Sequence, residues 1–436
     1  MKLELAKFPV KKISFDGQTS YNNGVLEIDK EAVLKLISVD KRIESADLHL
    51  AFPGDQTRIA LVREAVEPRI KVSGQGSVFP GVLGPIETVG SGRTHSMPGL
   101  TVIASANYRP TMLEGYGAQD SSILDMWGPA QELSPFGSTL NVVLTLQLID
   151  EISEVEAHNT IQQATLKLAN CLAETTLQKA PEEIEVFELA PADASLPRII
   201  YILGALTQHP YPHTGIAIYG LPVDESLPTY VHPNEFLDGA VTTDARHGNS
   251  AGPPLTWVWM NHPVILQLLR KHGKELNFLG VIFQRTRFTN EHGKKVSAEM
   301  TSQMARLLGA EGAIITGMVP SGNNFMDVMY TLQACEQKDI KSVLITPEWG
   351  TDETEFPLPF YTPEAVSIVS SGVWTREVQN LPKPAKLIGI EAGESVTALA
   401  GDKAFIPAEE VTLTGCHAIA SSVDWWGGGH YTCSEF

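Results

Sequence analysis

From residue 276 onward the chain alternates between two periodicities that no single element of secondary structure satisfies. LNFLGVIF (276–283) and GAIITG (312–317) are short, continuously apolar runs, the pattern of strands buried on both faces. Between them Met300, Met304, Leu307 and Leu308 recur at helical spacing and stop at Gly309. A second helical stripe, Phe325, Val328, Met329 and Leu332, precedes SVLIT (342–346), AVSIV (365–369) and KLIGI (386–390). Buried strands separated by amphipathic helices require a parallel sheet with helices on its faces. The predicted fold is therefore α/β, with residues 261–436 forming a Rossmann-like, doubly wound parallel-sheet domain.

The preceding half follows other rules. Up to about residue 150 short β-like runs are broken by glycine and proline, and the stretch from Lys71 to Gly99 alone holds seven glycines. This predicts a β-rich, glycine-rich domain over 1–150. From Ile152 the period changes, and Ile161, Ala164, Leu168, Cys171 and Leu172 fall on one helical face; EIEVFEL (183–189) and RIIYILGAL (198–206) read as a following strand pair. These make an α+β segment over 151–240. Residues 241–260, polar and rich in glycine and proline, read as an exposed loop or linker between the halves.

Charge narrows the function classes. With 32 basic and 51 acidic residues the formal charge is -19, which argues against a nucleic-acid partner. The first fifteen residues alternate like a strand and lack the apolar run of a secretory signal, and no apolar stretch reaches a membrane-spanning length, so neither export nor a membrane is expected. The four cysteines, Cys171, Cys335, Cys416 and Cys433, have no metal-ribbon or CxxC spacing and fit a reduced, cytoplasmic chain.

Several residues carry chemistry that each segment can use. In TTDARHGNSAG (242–252) Ser250 follows a flexible Gly-Asn pair. Its hydroxyl can attack the carbonyl of Asn249, and the resulting ester can eliminate and hydrolyse to a pyruvoyl ketone; the same residues serve equally as a plain loop, with His247 beside them. Arg93 and His95 sit in SGRTHSMPG, where an arginine can clamp a carboxylate bidentately or remain a solvated turn charge. After GAIITG, the backbone at Ser321–Asn324 can hold an anion at a helix N-terminus, or Asn323 and Asn324 can simply cap it. Trp257 and Trp259, read as alternate strand positions, and Trp425 with Trp426 offer an aromatic cage for an alkylated ammonium or ordinary core packing. His209, His213, His232 and His247 could be assembled into a metal-dependent hydrolase, but the intervening prolines forbid helical ligand spacing, so no metal is expected. No GxGxxG or Walker lysine is present, so no nucleotide cofactor is indicated.

The longer motifs resemble one family. YNNGVLEIDKEAVLKLI, VEPRIKVSGQGSVFPGVLG, TVGSGRTH, SPFGSTLNVVL, LDGAV and NHPVILQLLRKHGKELNFLGVIF are similar, in this order, to the proprotein subunit of component B of the glycine, sarcosine and betaine reductases, with the D-proline reductase proprotein as a more distant relative. The resemblance implies a hetero-oligomeric, cytoplasmic, anaerobic complex of amino-acid catabolism that cleaves a C–N bond of a glycine-derived amine reductively. It implies a component B partner with a selenocysteine or cysteine, and a small redox selenoprotein. It also implies a precursor cut after the DGA motif, with a cysteine converted to a pyruvoyl group. Here the chain departs from that pattern, because no cysteine lies between Cys171 and Cys335. A pyruvoyl cofactor is then possible only through Ser250, with Thr242 and Thr243 as weaker precursors that would leave a 2-ketobutyryl group. On this reading Arg93 and His95 meet the substrate carboxylate, Trp257 contributes to binding, His247, Asn249 and Ser250 face the reacting end, and Ser321, Asn323 and Asn324 make a secondary anion contact. The alternative is an uncleaved, divergent member that acts as a scaffold or on another substrate.

Overall fold

The computed structural model is a mixed α/β protein and describes residues 1–108, 122–207, 216–223, 226–243, 254–287, 289–318, 322–348, 358–373, 377–398, 403–428 and 434–435. The parallel sheet follows from the apolar runs. Its seven strands lie in the order Thr229–Val231, Asn277–Arg287, Arg198–Thr207, Gly312–Gly317, Lys341–Glu348, Ile368–Val373 and Ser434–Glu435. The middle five are mutually parallel and the two edges antiparallel. In chain order the parallel strands lie 2-1-3-4-5, a doubly wound arrangement whose direction of winding reverses between Arg198–Thr207 and Gly312–Gly317.

Alternate side chains of the central strand serve opposite cores, as strand geometry demands. Ile200 and Ile202 join Ile282, Ile315 and the helix residues Ala305, Phe325 and Val328 on one face. Tyr201, Leu203 and Ala205 join Val281, Phe283 and the helix residues Ile265 and Leu268 on the other. Helices Glu291–Leu307 and Gly322–Glu336 therefore cover one face and Pro263–Lys271 the other.

RIIYILGAL does not pair with EIEVFEL. The first is apolar on both faces and takes the centre of the parallel sheet. The second alternates with glutamates and forms the edge of a four-stranded sheet in the order Glu183–Glu188, Lys2–Lys7, Gly92–Ser96, Arg69–Ser73. KLIGI also leaves the expected sheet: Lys386–Ile388 runs parallel to Thr57–Val66. Pro382 and Pro384 turn the chain just before it, and the amides of Ala385 and Lys386 both donate to the Gln56 carbonyl.

Thr57–Val66 belongs to the larger N-terminal sheet, with path Ser122–Asp125, Thr57–Val66, Leu100–Asn107, Leu140–Leu148, Ile43–Ala51. Helix Glu154–Glu174 packs across it, starting at Ser153, whose hydroxyl accepts the Glu156 amide. Such a cap is worth about 1 kcal/mol. The helix buries Ile161, Leu168 and Leu172 against Val102, Leu144 and Val66, each fully buried leucine or isoleucine contributing about 1.5–3 kcal/mol.

Candidate functional site

The segment between the two halves is fixed from its N-terminal side. Helix Pro233–Leu237 ends at Asp238, which is wholly buried. Its carboxylate accepts hydrogen bonds from Lys71 Nζ, from the Gly90 amide at 2.8 Å and from Thr94 Oγ1 at 2.6 Å. Arg69, also buried, donates to the Leu237 and Met260 carbonyls and to Asn261 Oδ1. Gly239 has φ of +75°, and a Cβ there would lie 2.5 Å from the Phe79 ring. The glycine-rich run 71–99 and the DGA motif are thus two halves of one mount.

The mount presents strand Val241–Thr243, whose last residue is bound on every side. The Thr243 amide donates to Thr256 Oγ1 at 3.0 Å, and its carbonyl accepts from Gln162 Nε2. Its hydroxyl donates to the Pro254 carbonyl and accepts from Trp259 Nε1 at 3.2 Å. Thr256 passes the chain of bonds on to Glu64, with its amide and hydroxyl donating to the two carboxylate oxygens at 2.9 and 2.7 Å. Thr242 is buried as well, and its Oγ1 has no hydrogen-bond partner among the described residues. Thr256→Val removes the hydroxyl that accepts the Thr243 amide and donates to Glu64, so it is expected to cost about 1–3 kcal/mol. An unchanged urea midpoint would show that the network does not hold the strand.

A β-bulge sets the groups next to it. Along Thr57–Val66 the register with Leu100–Asn107 shifts between Val62 and Glu64, leaving Arg63 as the extra residue, and Leu61 has a positive φ of 54°. Bulges re-aim side chains in this way. Arg63 lies over the Tyr108 ring at 5.4 Å, and Tyr108 Oη meets His158 Nε2 at 2.7 Å. His158 and Gln162 are one turn apart on the helix and Glu154 one turn before, so all three share a face. Nothing in the sequence periodicity marks these residues, since a buried His, Gln or Glu on a helix face reads as an interruption of the apolar stripe.

The residues singled out from sequence do not converge. Arg93 lies on strand Gly92–Ser96 rather than in a turn, and its guanidinium pairs with Glu4 at 2.6 and 2.8 Å. His95 is buried, its ring tilted against Phe8 and its Nδ1 2.9 Å from Thr176 Oγ1. Burial, with Arg93 adding to it, pushes its pKa down to about 4. Trp257 and Trp259 are on a short helix, Thr256–Met260, not a strand, so they point to different surroundings. Trp257 meets Phe136 edge-on at 5.8 Å, whereas Trp259 meets Trp426 at 5.1 Å, with Trp426 stacked on His262 at 3.9 Å. Asn323 and Asn324 are the second and third residues of helix Gly322–Glu336; Asn323 Oδ1 accepts the Thr289 amide, and Asn324 is buried. His232 caps helix Pro233–Leu237 through Nδ1, and no group of three or more metal-ligating side chains occurs among the described residues. His247, Asn249, Ser250, Ser321, His209 and His213 lie outside the described residues.

Fold and site together define an α/β protein in which a β-rich scaffold and a doubly wound sheet grip one short internal strand. The sequence matches the glycine/sarcosine/betaine reductase component B subunit family over residues 1–421. It is 32% identical over 412 residues to the glycine reductase complex component B subunits alpha and beta of Acetoanaerobium sticklandii, covering 92% of each chain. It is 33% identical over 404 residues to the sarcosine reductase complex component B subunit alpha of Peptoclostridium acidaminophilum, covering 89% of this chain and 90% of that one. The betaine reductase complex component B subunit alpha of the same organism is 33% identical over 403 residues, covering 90% and 89%. No solved structure matches. The chain belongs to the family of glycine/sarcosine/betaine reductase component B subunits and is a component of a reductase complex. None of its helices, among the described residues, is long and apolar enough to cross a membrane.

Proposed function

We propose that this chain is the substrate-binding component B subunit of a hetero-oligomeric reductase, and that it works with strand Val241–Thr243 uncut. It holds a glycine-derived amine beside that strand, and a selenocysteine or cysteine of a partner subunit attacks the substrate's methylene carbon. The chalcogen–carbon bond forms, the C–N bond breaks, and the amine leaves with the bonding pair. The carboxymethyl group then passes to a small redox selenoprotein.

The observation that carries this reading is the closure of the hydrogen bonds around Thr243. A pyruvoyl group arises from cysteine or serine, and Val241, Thr242 and Thr243 include neither. The residues of this strand therefore do not fit that group. Ser250, further along the chain, is the residue from which one could form. A quaternary amine cannot form an iminium with a ketone, so a substrate of that kind has no use for one.

Intact mass of the chain made in its own host tests the reading, together with turnover of the assembled complex on betaine, sarcosine and glycine. A single species at 47.4 kDa in a complex that consumes one of these amines is the expected result. Two fragments, the second blocked at its N-terminus, would overturn the uncut reading and move the chemistry to the cut residue.

A further inference from the structure

We infer that a pocket of about 300 Å³ between helix Glu154–Glu174 and strand Ile216–Ile218 is a binding site for a small zwitterion, with His158 and Gln162 as its buried polar contacts. This rests on the substrate-binding reading above and places the substrate within it. The volume is at the lower end of the roughly 300–1,000 Å³ of small-molecule sites.

Three features place this pocket at the gripped strand. Gln162 lines it and at the same time donates to the Thr243 carbonyl. Ala217 lines it and pairs directly across from Thr242, so the two side chains share one face of the antiparallel ladder. Thr242 carries on that face a buried hydroxyl with no partner among the described residues. A buried hydroxyl in that condition costs free energy that a ligand can return.

The lining decides the ligand class. His158, Asn159, Gln162 and Gln163 supply the polar surface, and the remaining walls are glycine, proline or aliphatic. Among the described residues, neither an acidic nor a basic side chain other than His158 lines the pocket. A net anion or cation entering it would lose hydration without a countercharge. A zwitterion has no net charge, and amide groups, each both donor and acceptor, can meet its two ends. His158 is 1% exposed and held by Tyr108 Oη at 2.7 Å, with the two rings edge-to-face at 84°, so its imidazole enters the site already oriented. Tyr108 is a positioning residue, since it acts through the histidine.

Calorimetric titration of the full chain with betaine, sarcosine and glycine, and with choline and acetate as net-charged comparators, tests the site. The wild type is expected to bind at least one zwitterion and to bind choline and acetate at least about tenfold more weakly. Gln163→Trp, which narrows the mouth without touching the buried contacts, and His158→Gln are each expected to weaken zwitterion binding at least about tenfold. Tyr108→Phe is expected to weaken it by less and to alter its pH dependence, a change that a merely structural role would not produce. Zwitterion binding unaffected by both Gln163→Trp and His158→Gln, in variants with wild-type melting curves, would overturn the pocket and leave the substrate-binding role standing. Choline bound as tightly as betaine would overturn the ligand class. Absence of binding to every zwitterion would overturn the substrate-binding role itself and the pocket with it.

Discussion

Arg58→Ala is expected to destabilise the chain by about 3–5 kcal/mol, the range for removing one partner of a buried ion pair. Arg58 is wholly buried, and each of its donated hydrogen bonds has a short acceptor. Nε and Nη2 bind the two oxygens of Asp125 at 2.6 and 2.8 Å, Nη2 binds the Pro382 carbonyl at 3.0 Å, and Nη1 binds the Pro407 and Glu409 carbonyls at 2.8 and 3.0 Å. One residue of the N-terminal sheet thereby fastens the C-terminal segment that also carries Lys386–Ile388. Burial already pushes the Asp125 carboxyl up against the opposing pull of Arg58. Without the arginine, an ionised Asp125 is unaffordable, and three carbonyls lose their donor. The expected readout is a lower urea midpoint together with faster proteolysis between residues 382 and 409. Arg58→Met combined with Asp125→Leu should recover much of the loss, because the unpaired charge goes with its partner. A double variant as unstable as Arg58→Ala would place the cost in the carbonyl contacts alone.

The sequence revealed the parts of this molecule that depend on periodicity. GAIITG and LNFLGVIF needed only to be apolar on both faces to become central strands, and Phe325, Val328 and Met329 needed only helical spacing to cover them, whereas on the preceding helix Met300, Leu307 and Leu308 are exposed and smaller residues, Ala298, Thr301 and Ala305, take the buried face. Partner choice was less visible. KLIGI has the composition of a central parallel strand, yet two prolines and the anchoring of Pro382 by Arg58 carry it to another sheet. Tryptophans at 257 and 259 suit a strand as well as a single helical turn, and only the packing of Trp259 on Trp426 and His262 separates the two.

The site was legible in its frame and hidden in its contacts. The DGA motif and the glycine-rich run stood out as sequence, and the structure explains them as opposite sides of the Asp238 anchor. Glu64, Thr256, Gln162 and His158 did not stand out. They come from three distant stretches of chain, and what makes them a site is a bulge at Arg63 and a strand pairing across Ala217 and Thr242, both products of tertiary structure.

Mild acid should destabilise this protein through its buried histidines. His262 is fully buried among Tyr201, Phe236, Trp259 and Trp426, its Nε2 3.1 Å from Tyr201 Oη, and burial pushes its pKa down to about 3. His95 and His232 are pushed down to about 4 for the same reason. In the unfolded chain each imidazole returns to an ordinary value near 6.5. Between the folded and unfolded values the unfolded state binds more protons, so stability is complete above about pH 6.5 and declines as the pH falls toward 4. His262 alone accounts for roughly 5 kcal/mol over its whole range, at about 1.36 kcal/mol per pKa unit, a sizeable part of the 5–15 kcal/mol typical of a folded domain. Asp40, Asp47 and Glu185 have carboxyls held below their usual values, so their contribution falls away only at lower pH, whereas the Asp125 and Glu235 carboxyls, raised by burial, take up protons in the folded state and offset part of the decline. Urea midpoints measured from pH 7.5 down to 5 should fall steadily, and His262→Asn, compared with wild type over the same range, should flatten the slope by about one proton. A midpoint independent of pH between 7.5 and 5 would mean that these imidazoles accept protons in the folded protein, with His262 reaching water through an opening of the aromatic cluster.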